Sequence, residues 1–595
     1  MLFASWLQKR VSNRSTAARA HRPAVARFRP RPGLEVLEDR YLLSGGVLDP
    51  TFGTAGIQTA NVVQSSDPMA VATYPSTGSA NDGKIVAAGW AYLPQKGMGH
   101  KPDPQVFALV RYNLNGSLDT SFGGTGEVLT NLGGGERAED VAVQPDGKIV
   151  AVGFVGGQFA LVRYNADGSL DSSFGGTGKI LGNISTGSTD VAFRVSLQSD
   201  GKILVAGTSN GDLFLERYNA NGTLDTNFGT GGKVITQFPA PLGDPLQAQA
   251  PLFLDGKGFD MAIDPGSSAS DPNAGKIVIV AQLQNGSVVV ARYNTNGSLD
   301  NSANDLKNCF GNGAGYVIDS SLYLPSVAVQ SDDRIVVAAA SSTTRQYSHS
   351  VDLARFNVDG TPDTTFGSGG LVVTTLANNH LYPDAVTIQP DGRIVVAGTQ
   401  HDISVSSSSL LESNFLLVRY NPTDGSLDTS FGNQGIAVSS GDVLYHSNPP
   451  VAMAAEPDGR IVLAGVTIDS TGGDGFALAR FLVAGPVIDS FTASSPNNPV
   501  TAGSSLTLTA GSITAANPGT TITQVAFYLD SNNDGTLEPS TDRLLGTVKQ
   551  SSSGAWTLTD SSAFGLTAGT YTLFAQAEDS DGVFGDPVAL TLTVQ

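Results

Sequence analysis

The chain has 595 residues, of which 40% are hydrophobic, 15% are charged and 70 are glycine. Residues 1–45 contain nine of the 34 basic and three of the 54 acidic residues, which leaves the rest of the chain with a net charge of −26. A body this acidic repels phosphate groups and anionic membranes, which argues against nucleic acid as a partner. No run of about 18 apolar residues is present, so we expect no membrane-spanning helix.

The first 45 residues are rich in arginine and lack the apolar segment of an ordinary signal peptide. Their last part reads Leu34-Glu35-Val36-Leu37-Glu38-Asp39-Arg40-Tyr41-Leu42-Leu43-Ser44. This stretch resembles the N-terminal sorting segment of large extracellular proteins of planctomycetes, which implies a secreted or cell-surface protein. The alternative is a disordered basic tail with a small amphipathic helix. Both interpretations predict that residues 1–45 are poorly ordered.

Two motifs alternate seven times along residues 46–485, each with small variations. The first reads Arg-(Tyr/Phe)-Asn-x-(Asn/Asp)-Gly-(Ser/Thr)-(Leu/Pro)-Asp-x-x-Phe-Gly, and the second reads Asp-Gly-(Lys/Arg)-Ile-Val-x-Ala-Gly. The first motif begins at Arg111, Arg163, Arg217, Arg292, Arg355 and Arg419, with a truncated copy at Arg480. The basic residue of the second motif is Lys84, Lys148, Lys202, Lys276, Arg334, Arg393 and Arg460.

Each period contains four β-rich runs separated by turn signals. In the copy that follows Gly123, the turns are Pro145-Asp146-Gly147 and Asn165–Gly168. Asp-Gly and Asn-Gly pairs favour tight hairpins, because they supply the positive φ that such turns require. Four antiparallel strands in every period are typical of a propeller blade. The sequence therefore predicts an all-β fold, with a seven-bladed β-propeller of four-stranded blades over residues 46–485.

The repeat array begins and ends inside a repeat. Val47–Gly53 is the second half of the first motif, and Phe476–Phe481 is its first half. We expect the N-terminal strand to complete the last blade and close the ring, which would remove free sheet edges.

The arginine and the aspartate of the first motif keep a nearly fixed separation. They are eight residues apart in five copies and nine apart in the sixth. We predict that each pair forms a bidentate ion pair with a structural role, since an active site needs a singular geometry and these charges recur in every blade. The predicted pairs are Arg111–Asp119, Arg163–Asp171, Arg217–Asp225, Arg292–Asp300, Arg355–Asp363 and Arg419–Asp428, with Arg480–Asp49 across the seam.

The alternation of Pro145-Asp146-Gly147-Lys148-Ile149-Val150 with Phe159-Ala160-Leu161-Val162-Arg163-Tyr164-Asn165 resembles the delta-60 repeat family. The resemblance covers about residues 47–483. It implies a β-propeller from a secreted bacterial protein. The family has no established catalytic residues, so none is carried over to this chain.

Residues 486–595 are rich in threonine and serine and lack both motifs. Six strands are predicted there, which suits an immunoglobulin-like β-sandwich. The segment resembles the Ig-like modules of bacterial surface proteins, which implies a spacer. The predicted strands are Ser505–Thr509, Gln524–Leu529, Leu544–Val548, Ala555–Leu558, Thr570–Ala577 and Ala589–Val594.

One loop of this segment resembles the start of a calcium loop. Asp530, Asn532, Asp534 and Thr536 follow the spacing of the first ligands, and Asp542 comes near the end, where the usual glutamate is missing. Two interpretations stay open: a calcium site, or an Asx-rich hairpin loop without a metal. Calcium is the only cofactor that the sequence suggests.

Signals of catalysis are weak. Gly207-Thr208-Ser209-Asn210-Gly211 matches a nucleophile elbow, but it joins two predicted strands and is better interpreted as a hairpin. The six histidines contain no pair at a ligand spacing, and Cys309, the single cysteine, excludes an intramolecular disulfide.

The leading hypothesis is therefore a non-enzymatic, secreted or cell-surface protein that binds an extracellular protein or polysaccharide. A hydrolase or lyase is the second hypothesis, and a calcium-dependent adhesion protein is the third. An enzyme would need singular residues that break the repeat. Such residues are sought in five inserts: Tyr92–Gln105, Gln237–Asp260, Asn301–Lys307, Arg345–His349 and Asp402–Ser413.

Overall fold

A computed structural model describes most of the chain after residue 44. The described residues are 45–60, 62, 65–93, 104–185, 187–238, 257–268, 270–301, 309–341, 350–376, 379–402, 412–439, 444–445, 451–456, 459–468, 474–482, 485–496, 499–515, 521–531, 537, 542–549, 556–580, 584–585 and 587–595. The predicted leader, residues 1–45, lies almost entirely outside them. No helix among the described residues is long and apolar enough to cross a membrane.

The repeat region consists of antiparallel sheets, which we number 1 to 7 in chain order. Two strands precede sheet 1, namely β1 (Val47–Leu48) and β2 (Ile57–Ala60). Sheet 1 contains β3 (Ser66–Thr73), β4 (Ile85–Tyr92), β5 (Gln105–Tyr112) and β6 (Glu127–Thr130). Sheet 2 contains β7 (Glu136–Val143), β8 (Ile149–Val155), β9 (Gln158–Tyr164) and β10 (Lys179–Gly182). Sheet 3 contains β11 (Asp190–Leu197), β12 (Ile203–Ser209), β13 (Asp212–Tyr218) and β14 (Lys233–Thr236).

The next four sheets repeat this order. Sheet 4 contains β15 (Phe259–Ile263), β16 (Ile277–Gln282), β17 (Val288–Tyr293) and β18 (Tyr316–Asp319), with a 3-10 turn at Gly311–Gly313. Sheet 5 contains β19 (Leu322–Val329), β20 (Ile335–Ser341), β21 (Ser350–Phe356) and β22 (Leu371–Thr375). Sheet 6 contains β23 (Asn379–Ile388), β24 (Ile394–Asp402), β25 (Glu412–Tyr420) and β26 (Ile436–Val438), and β27 (Leu444–Tyr445) also pairs with β25. Sheet 7 contains β28 (Ala452–Ala455), β29 (Ile461–Ile468) and β30 (Asp474–Leu482), together with β1 and β2.

The second strand of each sheet is an almost continuous apolar run, as in Ile149–Val155, and nearly all of its residues are buried. Such a run indicates a strand that is covered on both faces. The covering comes from the neighbouring sheets. One cluster of buried residues joins Val86 and Leu109 of sheet 1 to Ala151 and Val162 of sheet 2. The core is thus divided into layers between successive sheets.

Sheet 7 is assembled from the two ends of the repeat region. Val47 pairs with Leu482, and Ile57 pairs with Ala479, so β1 and β2 both lie against β30. Just before β1, Gly46 adopts a φ of +79°, and a Cβ atom there would lie 2.6 Å from the backbone nitrogen of Gly432. Only glycine fits this junction between sheets 6 and 7.

Residues 487–594 form two further sheets. The first contains β31 (Val487–Ser494), β32 (Leu506–Thr514) and β35 (Trp556–Asp560). The second contains β33 (Ile522–Leu529), β34 (Arg543–Lys549), β36 (Gly569–Asp579) and β37 (Val588–Val594), and a 3-10 turn lies at Ala563–Gly565. The two sheets share one apolar core that includes Leu508, Phe527 and Trp556. A strand lies at each of the six predicted segments, and β31 is an additional one.

Candidate functional site

Each sheet of the repeat region has two different ends. At the turn end, its first strand connects to its second and its third to its fourth. At the loop end, the second strand connects to the third, and the chain passes to the next sheet. This division follows from the antiparallel strand order, and it separates the repeated residues from most of the inserts.

The turn end of sheet 1 carries a charged centre built by both motifs. Asp119 Oδ2 lies 2.7 Å from Arg111 Nε and 2.8 Å from Lys84 Nζ. Asp119 Oδ1 accepts hydrogen bonds from the backbone N–H and the hydroxyl of Ser121, at 3.1 and 2.7 Å. The Arg111 guanidinium lies 4.7 Å from the centroid of the Phe122 ring, which is fully buried. One aspartate thus binds two cations, and the arginine also stacks on an aromatic ring.

The same centre recurs in all seven sheets, so every predicted arginine–aspartate pair lies within ion-pair distance. The shortest distances in the other pairs are 2.8 Å for Arg163–Asp171, 2.8 Å for Arg217–Asp225, 2.7 Å for Arg292–Asp300, 2.8 Å for Arg355–Asp363, 2.7 Å for Arg419–Asp428 and 2.8 Å for Arg480–Asp49. The second cation lies 2.8–4.0 Å from the same oxygen in every sheet, and the guanidinium lies 4.1–5.0 Å from the centroid of the motif phenylalanine.

The prediction that each ion pair is bidentate is wrong. A single oxygen, Oδ2, receives the guanidinium, because Oδ1 is engaged by the residue two positions later, as in Asp171 with Ser173 and Asp49 with Thr51. Sequence reasoning also missed the roles of the second-motif cation and of the phenylalanine. Their recurrence with the arginine in every period was the available signal.

A backbone hydrogen bond links each of these centres to the neighbouring sheet. The glycine of Phe-Gly donates its N–H to a carbonyl in the next turn, for example from Gly53 of sheet 7 to Asn115 of sheet 1 at 2.8 Å. The Arg480 guanidinium also donates to the Leu114 carbonyl at 2.6 Å. The other six bonds are Gly123–Asp167, Gly175–Asn221, Gly229–Asn296, Gly311–Asp359, Gly367–Asp424 and Gly432–Gly45. The junction between sheets 7 and 1 therefore has the same glycine hydrogen bond as the others.

These contacts change the acidity of the aspartates. Burial alone would raise the pKa of Asp49, but the Thr51 hydroxyl and the Arg480 guanidinium outweigh it and lower the pKa. The pKa values of Asp363 and Asp428 are likewise lowered against the effect of burial, by hydrogen bonds and by the paired arginines. The ionised carboxylates therefore stabilise the folded state.

We expect the repeat region to lose stability in acid. A lowered folded-state pKa contributes stability that is present above the unfolded value of about 3.9 and is lost as the pH falls below it, by up to about 1.4 kcal/mol per pH unit for each proton taken up. Urea unfolding midpoints at pH 5, 4 and 3 measure this loss. Asp49→Asn, which cannot ionise, should show a smaller loss between pH 5 and 3 than the natural chain. An equal loss in both proteins would contradict the assignment.

A cavity of about 280 Å³ is lined by residues on or next to the first strands of all seven sheets. Its charged residues break the repeat. Arg194 Nε lies 2.9 Å from Asp260 Oδ1, and Lys257 Nζ lies 2.8 Å from Asp384 Oδ1. Asp140 is the neighbour of Arg194 in the preceding sheet, and burial raises its pKa to about 6, against the effect of Arg194.

The cavity carboxylates are engaged by backbone groups of neighbouring sheets. Asp140 Oδ2 accepts from the Val195 N–H at 2.8 Å, and Asp260 Oδ2 accepts from the Val327 N–H at 2.9 Å. Asp384 Oδ2 accepts from the Val451 N–H at 3.3 Å. These side chains therefore connect sheet 2 to 3, sheet 4 to 5 and sheet 6 to 7. Of them, only Asp260 lay in an insert examined from the sequence.

Aromatic and histidine side chains gather at the loop ends of sheets 1 and 6. Trp90 and Tyr92 pack edge to face with ring centroids 5.2 Å apart, and Tyr92 is 36% exposed. His380 and His401 are partners in adjacent strands, with nearly parallel rings 6.2 Å apart. No histidine pair is predicted from the sequence. Counting outward from the turn at Gly392 brings His380 and His401 to within one residue of being partners. The one-residue bulge at Asp384 accounts for the difference.

Four of the five inserts named from the sequence lie at loop ends. They connect β4 to β5, β14 to β15, β20 to β21 and β24 to β25, and much of each lies outside the described residues. The exception is Asn301–Lys307, which lies between β17 and β18 at a turn end.

The residues of the proposed calcium loop lie between β33 and β34 of the C-terminal sheets. Asp530 and Asp542 of the proposed calcium loop are buried, and Asp542 Oδ1 accepts from the Ser531 N–H at 2.9 Å. Asn532, Asp534 and Thr536 lie outside the described residues. Within the described part of the chain, no group of three or more His, Cys, Asp or Glu residues could hold a metal ion.

The nucleophile-elbow pattern is a hairpin, as predicted. Ser209 pairs with Asp212, and the two residues between them, Asn210 and Gly211, have φ angles of 49° and 90°. Cys309 is buried beside the motif phenylalanine of sheet 4.

Comparison with known proteins supports the repeat prediction. The model of a domain of unknown function, DUF5122, described as a β-propeller, matches residues 80–122, 144–174, 198–228, 275–302, 330–366, 389–431 and 456–485. The prediction of seven propeller repeats is confirmed. None of the curated proteins matches the chain.

Several solved structures are similar at low identity. A fungal alcohol oxidase of the AA5 family in complex with copper is 16% identical, with 90% of this chain and all of that chain covered and a TM-score of 0.37. A protein of unknown function from Dyadobacter fermentans is 10% identical, with 72% and 99% covered and a TM-score of 0.34. An α-L-arabinofuranosidase from Fusarium graminearum is 10% identical, with 53% and 86% covered and a TM-score of 0.29.

Proposed function

We propose that this β-propeller repeat protein is a secreted or cell-surface binding protein without enzymatic activity, whose seven sheets close into one ring. The closure is supported by the hydrogen bond from Gly53 to Asn115 and by the apolar cluster that joins Phe476 and Leu478 of sheet 7 to Ile85 and Val110 of sheet 1. The extracellular location is supported by the arginine-rich leader alone.

The contrast between the two sheet ends carries the proposal of binding. The turn ends use the same buried centre seven times, so their side chains are occupied by the fold. The loop ends hold most of the inserts and the exposed ring of Tyr92 beside Trp90. Variable loops on a rigid scaffold are where binding residues are usually found. We therefore place the binding surface for a protein or polysaccharide at the loop ends, with Trp90 and Tyr92 at its rim.

The carboxylates of the cavity are engaged by the fold, which argues against a catalytic role for them. The carboxylate oxygens of Asp140 and Asp260 accept backbone hydrogen bonds from two strands each, and Asp260 also binds Arg194. A general base needs an oxygen that can reach a substrate proton. A hydrolase or lyase is the second candidate, since the raised pKa of Asp140 suits a general acid near pH 6.

The C-terminal sheets suit an Ig-like spacer that holds the propeller away from its point of attachment. The buried carboxylates of Asp530 and Asp542 flank the loop predicted to bind calcium. Calcium binding, and with it a role in adhesion, stays a prediction.

A glycan array and binding to purified bacterial surface polysaccharides test the proposed surface. Trp90→Ala and Tyr92→Ala should each weaken binding of a recognised glycan at least about tenfold, because an aromatic ring that stacks on a ligand contributes on the order of 1–3 kcal/mol. Asp146→Ala, at an exposed turn end, is the matched control and should bind normally. Equal losses in all three variants, or losses only at turn ends, would contradict the placement.

A further inference from the structure

Two residues break the repeat where sheets 4 and 5 meet at their turn ends. The residue before the second-motif cation is glycine in six sheets, with φ between 70° and 93°, but it is Asp333 in sheet 5, with a φ of 65°. The residue that follows the first strand is Gln, Glu or Tyr in six sheets, but it is Asp264 in sheet 4. Left-handed backbone is costly for a residue with a Cβ atom, so the position of Asp333 calls for a compensating contact.

Both carboxyl groups are buried. Asp264 is 2% exposed and Asp333 is 8% exposed. Asp264 Oδ1 accepts from the Gly266 N–H, and Asp333 Oδ2 accepts from the Asn273 amide, both at 2.9 Å. The other two oxygens, Asp264 Oδ2 and Asp333 Oδ1, are buried without a hydrogen-bond donor. Besides burial, Asp333 raises the pKa of Asp264, and Asp264 acts on Asp333 as a hydrogen-bond donor, which requires a proton between the two groups.

One further carboxylate, that of Asp271, is also a hydrogen-bonding neighbour of Asp333, and one guanidinium faces Asp264. Asp271 of the β15–β16 turn also faces Asp333, and its own oxygens accept from Ser267 and Asn273. The Arg292 side chain faces Asp264, but its Nε binds Asp300, and its two terminal nitrogens have no hydrogen-bond partner in the described part of the chain.

Two further cations lie near this junction. Lys276 binds the Asp300 carboxylate at 2.9 Å. Arg334, which follows Asp333, lies 2.8 Å from Asp332 and 3.3 Å from Asp363. Both cations are therefore held by other carboxylates, and neither forms an ion pair with Asp264 or Asp333.

We propose that Asp264 retains its proton and donates it to Asp333, so that a carboxylic acid–carboxylate hydrogen bond fastens sheet 4 to sheet 5 in acidic and near-neutral solution and is lost in alkaline solution. A single proton supplies the donor that both orphaned oxygens lack. Burial raises the pKa of Asp264 to about 7 and also raises that of Asp333. A raised folded-state pKa contributes stability that is fully present below the unfolded value of about 3.9 and is lost as the pH rises through about 7.

Hydrogen exchange of the full chain, followed by mass spectrometry at pH 5 and pH 8, tests the proposal. The readout is protection of peptides covering residues 259–277 and 326–337. Asp264→Asn keeps a donor at every pH. At pH 8 it should exchange at least about tenfold more slowly than the natural chain in both peptides, and at pH 5 the two proteins should be similar. Comparison at equal pH removes the intrinsic pH dependence of exchange.

A second variant and a control complete the test. Asp333→Gly restores the glycine found in the other six sheets and removes the acceptor of the proposed hydrogen bond. At pH 5 its two peptides should therefore be less protected than those of the natural chain. Between pH 5 and pH 8 it should not show the loss of protection expected for the natural chain. Asp200→Asn, an exposed turn aspartate of sheet 3, should behave like the natural chain. The proposal is overturned if Asp264→Asn and the natural chain respond identically to pH. It is also overturned if calcium chloride at pH 8 protects the natural chain but not Asp264→Asn, because a cation would then occupy the position of the proton.

Discussion

Replacing Asp49 with alanine is expected to destabilise the repeat region by about 3–5 kcal/mol, because it removes the carboxylate closest to the buried Arg480 and leaves Glu456 as the one counter-charge beside both arginines in the described part of the chain. The Asp49 and Arg480 side chains are each 1% exposed, and Arg460 lies 3.3 Å from the same carboxylate. Urea unfolding followed by far-UV circular dichroism measures the change. Hydrogen exchange in β30 locates it, since the loss should be largest where Arg480 lies.

Asp146→Ala is the control for Asp49→Ala. Asp146 has 58% of its side chain exposed and lies 3.9 Å from Lys148, so its removal should change the free energy of unfolding by less than about 0.5 kcal/mol. If Asp49→Ala were as mild as this control, the charged centre at the seam would not stabilise sheet 7.

Replacing Phe122 with alanine should cost about 3–5 kcal/mol, the usual range for a buried phenylalanine. The ring is fully buried beneath the Arg111 guanidinium, and Gly168 of sheet 2 packs so closely against it that an added Cβ would lie 2.9 Å from Phe122 Cε2. The ring therefore contributes to sheet 1 and to its junction with sheet 2. The free energy of unfolding measures the sum.

Phe122→Leu separates the aromatic contribution from the apolar one. Leucine keeps most of the buried apolar volume but removes the stacking with Arg111, which is worth about 0.5–2 kcal/mol. We expect the leucine variant to recover more than half of the loss caused by alanine. Equal losses for leucine and alanine would mean that the cavity left by the ring is not the main cost.

The sequence was sufficient for the repeated part of the fold because each period carries its own turns and apolar runs. Asn165–Gly168 and Pro145–Gly147 mark two hairpins of sheet 2, and the strands lie where these turns require. The arginine–aspartate pairs could be found in the same way, since their spacing recurs. Even Arg480 and Asp49 could be paired, because the truncated motifs at the two ends are complementary.

Residues that occur once could not be found by counting periods. Asp140 and Arg194 meet in the cavity only because successive first strands lie side by side, a relation that no local spacing encodes. The bulge at Glu139 also shifts the pairing of its strand by one residue. Asp264 and Asp333 lie 69 positions apart and come together only through the junction of two sheets. Single substitutions in a repeat, such as Asp for Gly at 333, are the signal that sequence reasoning could have followed.

The chain order of sheet 7 has a consequence for biogenesis. Asp49 and Arg480 are 431 positions apart, so the first strands leave the ribosome long before the strand they pair with. At about 5–20 residues per second, the interval is on the order of 20–90 seconds. During that time β1 and β2 lack β30, the strand with which both of them pair. The pairing that completes sheet 7 must therefore form late in synthesis, and nascent chains that stall before Arg480 would expose two unpaired strands to chaperones and proteases.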